Sequence, residues 1–366
     1  MSNESLQHCV PCFGLPPDLL SYRQFSFYVI GIALPVVALI GVVFNLTSIV
    51  VLSRPRMRCS INCLLCALAT SDMFVSTTAM SLYSLLMMEC SGPMVSNLHS
   101  ILAPIMYPLS TVVQTCSVYF TLAAAIDCFV STVVPIIEHS VCTVKRAQQV
   151  IVFVCVFALI YNLTHCFELE RWECFEPEWN TTISRLKTTA FRQDELYYQI
   201  YYTYSYTIFM AVGPLILLIA LNSVIVVKTV LNKRSQSKRA EPSTDSSTTT
   251  LILVVFLFII CNALSLAVNL LELIDRDSWL LGYLVDVSNL LVVFNSSANF
   301  LIYFTFDSQF RVTLYELCGC AESVMHMSDG DGEHETSVIW HEHAPNYTSV
   351  LDIKMNLYDS ALFSRL

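Results

Sequence analysis

The chain has 366 residues, of which 55% are apolar and 13% charged, with a formal net charge of −10 at pH 7. The charged share is about half that of a soluble domain, and the few basic residues sit in short loops, which points away from a nucleic-acid partner. The apolar residues gather into stretches that leave little room for a separate water-soluble domain.

Residues 1–25 contain Cys9, Cys12 and the sequon Asn3-Glu4-Ser5. They lack the apolar core of a cleavable signal peptide, so the first helix is expected to serve as the insertion signal. Seven charge-poor stretches follow, at roughly 26–52, 61–88, 99–126, 148–167, 196–227, 250–271 and 279–305. A hydrocarbon core of about 30 Å takes about 20 residues of helix, and every stretch meets that length. Five carry no Asp, Glu, Lys or Arg, and the other two carry one each, Asp72 and Asp286. In lipid the backbone must bond to itself, so these are helices rather than isolated strands. The predicted fold class is an all-α membrane protein, a seven-helix transmembrane bundle.

The loops set the orientation. Arg54, Arg56 and Arg58 follow the first stretch, Lys145 and Arg146 follow the third, and Lys228, Lys233, Arg234, Lys238 and Arg239 follow the fifth. Loops rich in Lys and Arg stay in the cytoplasm. The opposite loop, 168–196, carries Glu168, Glu170, Glu173, Glu176, Glu178, Asp194 and Glu195. This predicts a multi-pass protein of the plasma membrane, with residues 1–25 extracellular and a cytoplasmic tail from 318 to 366. Asn3 and Asn180 begin sequons on the outer side, where glycans are added; the sequons at Asn45, Asn162 and Asn295 lie in helices, and that at Asn346 lies in the tail. Of the fifteen cysteines, Cys9, Cys12, Cys90 and Cys174 fall outside, where disulfides persist. Cys90 follows the second helix and Cys174 lies in the long outer loop, which favours pairing those two, although sequence alone does not settle connectivity. Cys318 and Cys320, just past the last helix, are palmitoylation candidates or free thiols.

Ionisable groups in membrane helices are costly and face the bundle interior. Asp72 sits mid-helix, and Asn45, Ser117, Asn295, Ser296 and Asn299 are the small polar groups that other helices offer it. Asn295, Asn299 and Tyr303 are four apart and share one helix face. Such a ring of oxygens suits a sodium ion, and equally a hydrogen-bonded network around a protonated carboxyl. No other cofactor is expected. Pro35, Pro104, Pro108 and Pro214 fall within spans, where neighbouring helices can satisfy the freed carbonyls.

These residues, taken in order, resemble the rhodopsin-like (class A) G-protein-coupled receptors over residues 26 to about 320. The resemblance rests on Asn45, on Leu68-Ala69-x-x-Asp72, on Pro214, on Phe258-Ile-Ile-Cys261 and on Asn299-Phe-Leu-Ile-Tyr303, the last similar to an Asn-Pro-x-x-Tyr motif with its proline replaced. Phe310-Arg311 resembles the start of that family's short amphipathic eighth helix, which extends the expected bundle to 317. Gln114-Thr115-x-Ser117-Val118-Tyr119-x-Thr121, Tyr161-Asn162, Phe167-Glu168, Cys261-Asn262 and Asn295-Ser-Ser-Ala-Asn299 resemble the invertebrate FMRFamide-type neuropeptide receptors. The resemblance implies an extracellular peptide ligand, a heterotrimeric G protein and arrestin as partners.

Departures from the family pattern bear on coupling. The Asp/Glu-Arg-Tyr motif reads Asp127-Cys128-Phe129 here. In the family that arginine helps lock the resting state and then contacts the G protein, so Asp127, Cys128, Phe129 and Tyr303 are the expected G-protein-facing residues, with Cys128 unable to act by charge. Leu264 replaces the sixth-helix proline, and Ala103 stands near the place of the family's outer third-helix cysteine.

The outer vestibule is acidic and rich in tyrosine, with Tyr197, Tyr198, Tyr201, Tyr202, Tyr204 and Tyr206 together. A ligand ending in Arg-Phe-amide brings a cation for carboxylates and a ring for stacking. Glu168, Glu272 and Asp286 are the candidate carboxylates, and Ser110, Gln114, Tyr201 and Asn262 further candidate ligand contacts. The competing reading is solvated loop acids and an interfacial aromatic belt. Leu109-Ser110-Thr111-Val112 has no acid where aminergic receptors carry one. Two other classes stand beside the peptide receptor. An orphan or chemosensory receptor with altered or lost coupling would explain Cys128. A transporter would show internal repeats, and none is found. No phosphate loop, His-Glu-x-x-His or nucleophile elbow suggests an enzyme. The acidic tail is expected to lack structure of its own, and Ser323, Ser328, Thr336 and Ser337 offer phosphorylation sites. Its end, Ser364-Arg365-Leu366, fits the tails that PDZ domains bind.

Overall fold

A computed structural model describes residues 9, 17–236, 245–274 and 279–319. Seven long helices span them: α1 (Leu20–Leu52), α2 (Ser60–Met87), α3 (Pro93–Val133), α4 (Val144–Phe167), α5 (Glu195–Leu231), α6 (Thr248–Glu272) and α7 (Leu280–Phe306). Each is long and apolar enough to cross a bilayer. The lipid-facing positions are large and apolar, as at Val36, Leu39, Val43 and Leu46 on α1, while Asn45 and Ser48 on the same helix are buried. That inversion, apolar out and small or polar in, is what a hydrocarbon solvent selects.

Prolines shape two of the spans. The wide turns at Phe27–Ala33 in α1 and Tyr198–Val212 in α5 each end two residues before a proline, Pro35 and Pro214. Leu34 N–H donates to Val29 O and Gly213 N–H to Ile208 O, both five residues back. A proline ring collides with the carbonyl four residues earlier and brings no N–H of its own, so the turn before it opens to the wider register. Gly213 is required there, because a Cβ would stand 2.3 Å from Ile208 O. Gly41 lets α1 approach α2 and α7: a Cβ would lie 2.2 Å from Ser297 Oγ and 2.9 Å from Ser76 Oγ.

The eighth helix, α8 (Ser308–Leu317), follows α7 directly. Asp307 caps it by accepting from Phe310 N–H at 3.1 Å. Phe310 is fully buried against Tyr303 and Phe300, and Arg56 from the α1–α2 loop pairs with Glu316 on the far side. Cys318 is exposed just past this helix. Cys320, the tail phosphorylation sites and the terminal Ser364-Arg365-Leu366 lie outside the described residues, as does Asn3.

The long acidic loop between α4 and α5 is a β-hairpin. β1 (Leu169–Glu176) pairs antiparallel with β2 (Thr181–Thr188), with Cys174 opposite Ile183. Asn180 turns the chain at φ 47°, a left-handed position that asparagine tolerates, and is exposed, as a glycan acceptor must be. The hairpin is held to α3, where Ser184 N–H donates to Asn97 Oδ1 at 2.8 Å and Ser96 Oγ donates to Ser184 O at 3.2 Å.

The expected Cys90–Cys174 bridge is not formed. Cys174 is bonded to Cys9, and Cys90 is in a separate disulfide. The backbone shows why. Cys9 N–H donates to Phe175 O at 3.1 Å, so the backbone at Cys9 is held against β1 and its thiol stands beside Cys174 in a pocket walled by Ile183, Trp172 and Trp179. A single long-range backbone contact at Cys9 leaves no local pattern in the sequence.

Candidate functional site

At the hairpin end of the bundle two adjoining cavities open, of about 350 Å³ and 340 Å³. Tyr107, Thr111, Gln114, Asn289 and Val292 form their common wall. The larger lies between α3, α5, α6 and α7 and is polar and aromatic, with Tyr198, Tyr202, Tyr206, Asn269, Glu272 and Arg192 on its walls. The smaller reaches toward α2 and is mostly apolar, with Val75, Ala79, Leu82, Tyr83 and Leu86, and with Ser110 and His99 among its polar members. Asn262 lies below, lining a small void with Gln114 and Met210, and donates to Phe258 O at 2.9 Å.

The three candidate carboxylates have different fates. Glu168 is 1% exposed and saturated. Tyr197 Oη donates to it at 2.5 Å, Tyr202 Oη reaches both its oxygens at 2.9 and 2.7 Å, Tyr107 Oη lies at 3.3 Å and His165 Nδ1 at 3.0 Å. Burial pushes its carboxyl up, but the hydrogen bonds from His165, Tyr197 and Tyr202 outweigh burial and bring it down to about 2. Glu168 is thus the hub that ties the end of α4 to α3 and α5. Tyr201 stands behind it, its hydroxyl 3.2 Å from Tyr161 O and 3.1 Å from His165 Nε2. Asp286 does not line either cavity. It accepts hydrogen bonds from Tyr22 and Ser26, and the adjacent Tyr22–Tyr283 ring contact helps seat the start of α1 on α7. Glu272 alone of the three faces the larger cavity, where Tyr198 Oη donates to it at 2.7 Å.

Halfway down, Asp72 is completely buried. Ser117 Oγ donates to its Oδ1 at 2.6 Å and Asn299 Nδ2 to its Oδ2 at 2.8 Å, with Ser296 a third partner. Asn45 Nδ2 donates to Ser296 O at 2.8 Å. In this part of the bundle Asn295 Oδ1, Asn299 Oδ1, Ser76 Oγ and Tyr303 Oη are buried without a partner among the described residues. The six polar-network residues therefore come together on α1, α2, α3 and α7, with acceptor capacity to spare.

At the α8 end, Asp127 accepts from Ser60 Oγ at 2.8 Å. Cys128 is 2% exposed, its thiol 3.8 Å from Thr132 Oγ1 and in reach of Thr248 on α6. Phe129 packs on the main apolar cluster, and Tyr303 is buried beside Phe310. A thiol and two hydroxyls thus stand together where α3 meets α6, and none of the three brings a charge.

The match to known proteins follows this geometry. The model of the 7 transmembrane receptor (rhodopsin family) matches residues 45–303. The chain is a rhodopsin-family seven-transmembrane receptor. A Caenorhabditis elegans protein named "Probable G-protein coupled receptor frpr-1" is 38% identical over 80% of this receptor and 79% of its own length. The Drosophila melanogaster "FMRFamide receptor" is 29% identical over 82% of this receptor, which spans 55% of the fly protein's length. The C. elegans "FMRFamide peptide receptor frpr-18" is 31% identical over 80% of this receptor and 70% of its own.

Sequence reading overlooked Tyr107, His165 and Arg192, and named Tyr202 only as one of the vestibule tyrosines. The signal for His165 was present: it stands three residues before Glu168, close enough in a helical turn to bond to it. Nothing in the sequence marked Arg192, which sits in the helical turn Ala190–Gln193 between β2 and α5.

Proposed function

We propose that this receptor lies in the plasma membrane with the hairpin end outside, binds an extracellular RFamide-like neuropeptide, and signals through a heterotrimeric G protein. The observation that carries the reading is Glu272, a carboxylate on the wall of a tyrosine-lined cavity, with one tyrosine hydroxyl as its hydrogen-bond partner among the described residues. A ligand guanidinium there gains a charge-assisted hydrogen bond and aromatic faces together. The adjoining apolar cavity suits an aromatic side chain, and Gln114, on the wall common to both, suits an amide. Ser110 and Asn262 line the side and floor, whereas Glu168 and Tyr201 position the walls and Asp286 the first helix. Relatives that bear FMRFamide in their names support the same ligand class.

In this reading Asp72 and its neighbours hold a sodium ion. The fit is chemical: one carboxylate, the Ser117 hydroxyl and the spare amide oxygens of Asn295 and Asn299 make a hard-oxygen donor set. A sodium ion would supply a counter-charge that stabilises the resting arrangement of α2, α3 and α7. Asn180 and Asn3 carry glycans, Cys318 and Cys320 carry palmitoyl chains, arrestin follows tail phosphorylation, and the C-terminal Leu366 engages a PDZ domain. The test of the main reading is a panel of amidated peptides applied to cells that express the receptor with a promiscuous G protein. A response to Arg-Phe-amide peptides and not to their free acids is expected. No response to any peptide, with good surface expression, overturns the reading and favours the receptor that has lost coupling.

A further inference from the structure

Arg192 is the feature of the cavity that the peptide reading does not use. Its guanidinium carbon stands 3.5 Å from the Tyr202 ring centroid and 5.8 Å from that of Tyr198. Its Nε is 3.7 Å from Glu168 Oε2, a long ion pair. Its guanidinium makes no hydrogen bond among the described residues, and Nη1 is buried without an acceptor. A buried donor left unmade is a cost, so this placement is far from the best a guanidinium can have. Nor does Glu168 depend on it, since three tyrosines and His165 already fill that carboxylate. The side chain is one quarter exposed and hangs from a single helical turn, Ala190–Gln193, whose cap is a 3.4 Å bond from Arg192 N–H to Thr189 Oγ1.

Arg192 therefore presents a cation to the very combination, a tyrosine face beside a carboxylate, that an incoming cation would seek. We infer that Arg192 is a resident cation in the ligand cavity, which the guanidinium of a bound ligand displaces from Tyr202. Displacement moves a short loop rather than a membrane helix, and the loop arginine gains water for its orphaned donor. While it is in place, Arg192 offsets the charge of Glu168 and leaves Glu272 as the uncompensated carboxylate of the cavity. It thereby weakens the binding of every cationic ligand and discriminates against ligands whose charge cannot outcompete it. The inference rests on the peptide reading.

The test uses the full-length receptor in cells, an Arg-Phe-amide peptide, and the same peptide with citrulline in place of arginine. Arg192→Gln should raise the potency of the arginine peptide by about threefold to tenfold, within the range of a cation–π contact, and leave the citrulline peptide unmoved. Arg192→Met keeps the packing on Tyr202 and should act in the same direction, which guards against misfolding of the first variant. Unchanged potency in both variants overturns the inference, and so does a loss of potency shared by both peptides, which would make Arg192 a contact for the ligand. If the wild-type receptor ignores the arginine peptide, the peptide reading itself fails; a wild-type response with no effect of either variant sinks only the resident cation.

Discussion

Replacing Glu168 by glutamine tests the hub most sharply. The carboxyl is brought from its ordinary 4.5 to about 2 against the effect of burial. At about 1.4 kcal/mol for each factor of ten, that difference is roughly 3.5 kcal/mol of preference for the charged form. The side chain is 1% exposed, so solvent screening removes little of it. Glutamine keeps the shape but places an amide among hydroxyls that now donate to a carboxylate, so most of that preference is lost. At about 2–4 °C per kcal/mol for a domain of this order, thermal unfolding of the purified receptor should fall by about 5–10 °C. Arg192→Gln, whose ion pair is long and dispensable, should shift it by about 2 °C or less. The sign of the pH effect follows from the depressed value: the contribution is complete above 4.5 and is lost only as pH falls through about 2. A shift below about 2 °C for Glu168→Gln, or one equal to that of Arg192→Gln, would refute the assignment of Glu168 as the structural carboxylate of the vestibule.

Three other outcomes are expected. If Asp72 binds sodium, agonist affinity falls as sodium replaces potassium, and Asp72→Asn abolishes that dependence; equal salt sensitivity in both proteins leaves only the hydrogen-bond network. Cys128→Arg restores a charge beside Asp127 and should raise agonist-stimulated nucleotide exchange, whereas an unchanged or lower signal means that α3 and α6 have adapted to the thiol and its threonine partners. Peptide mapping without reduction should recover Cys9 linked to Cys174, and recovery of a Cys90–Cys174 peptide would contradict the placement of Cys9 beside β1.

The seven spans were legible because lipid demands about 20 apolar residues and forbids unpaired backbone. The Asp72 constellation was legible for a related reason, since a carboxylate mid-span must find oxygen and nitrogen partners, and few are on offer. The hairpin was hidden by its own ion pair. Glu176 is 2% exposed and Arg185 Nη2 lies 3.1 Å from its Oε2, so charged residues occupy inward positions and break the alternation that marks a strand. The disulfide was misread because Cys9 is set beside Cys174 by a long-range contact with Phe175, and no local pattern records that. The three carboxylates could be named from sequence but not ranked. Glu168, Glu272 and Asp286 differ in which tyrosines and histidines close around them, and that is a property of the packed bundle.

The central claim is that Glu272 receives the cation of an amidated peptide. Direct binding of an Arg-Phe-amide peptide to the purified receptor, compared between wild type and Glu272→Gln, tests it with no signalling step between. Saturable binding that Glu272→Gln weakens by about tenfold or more, and that citrulline in the peptide weakens by a similar factor with no further loss in the variant, is the predicted result. Binding that is indifferent to Glu272→Gln, or losses from the two changes that simply add, would contradict it.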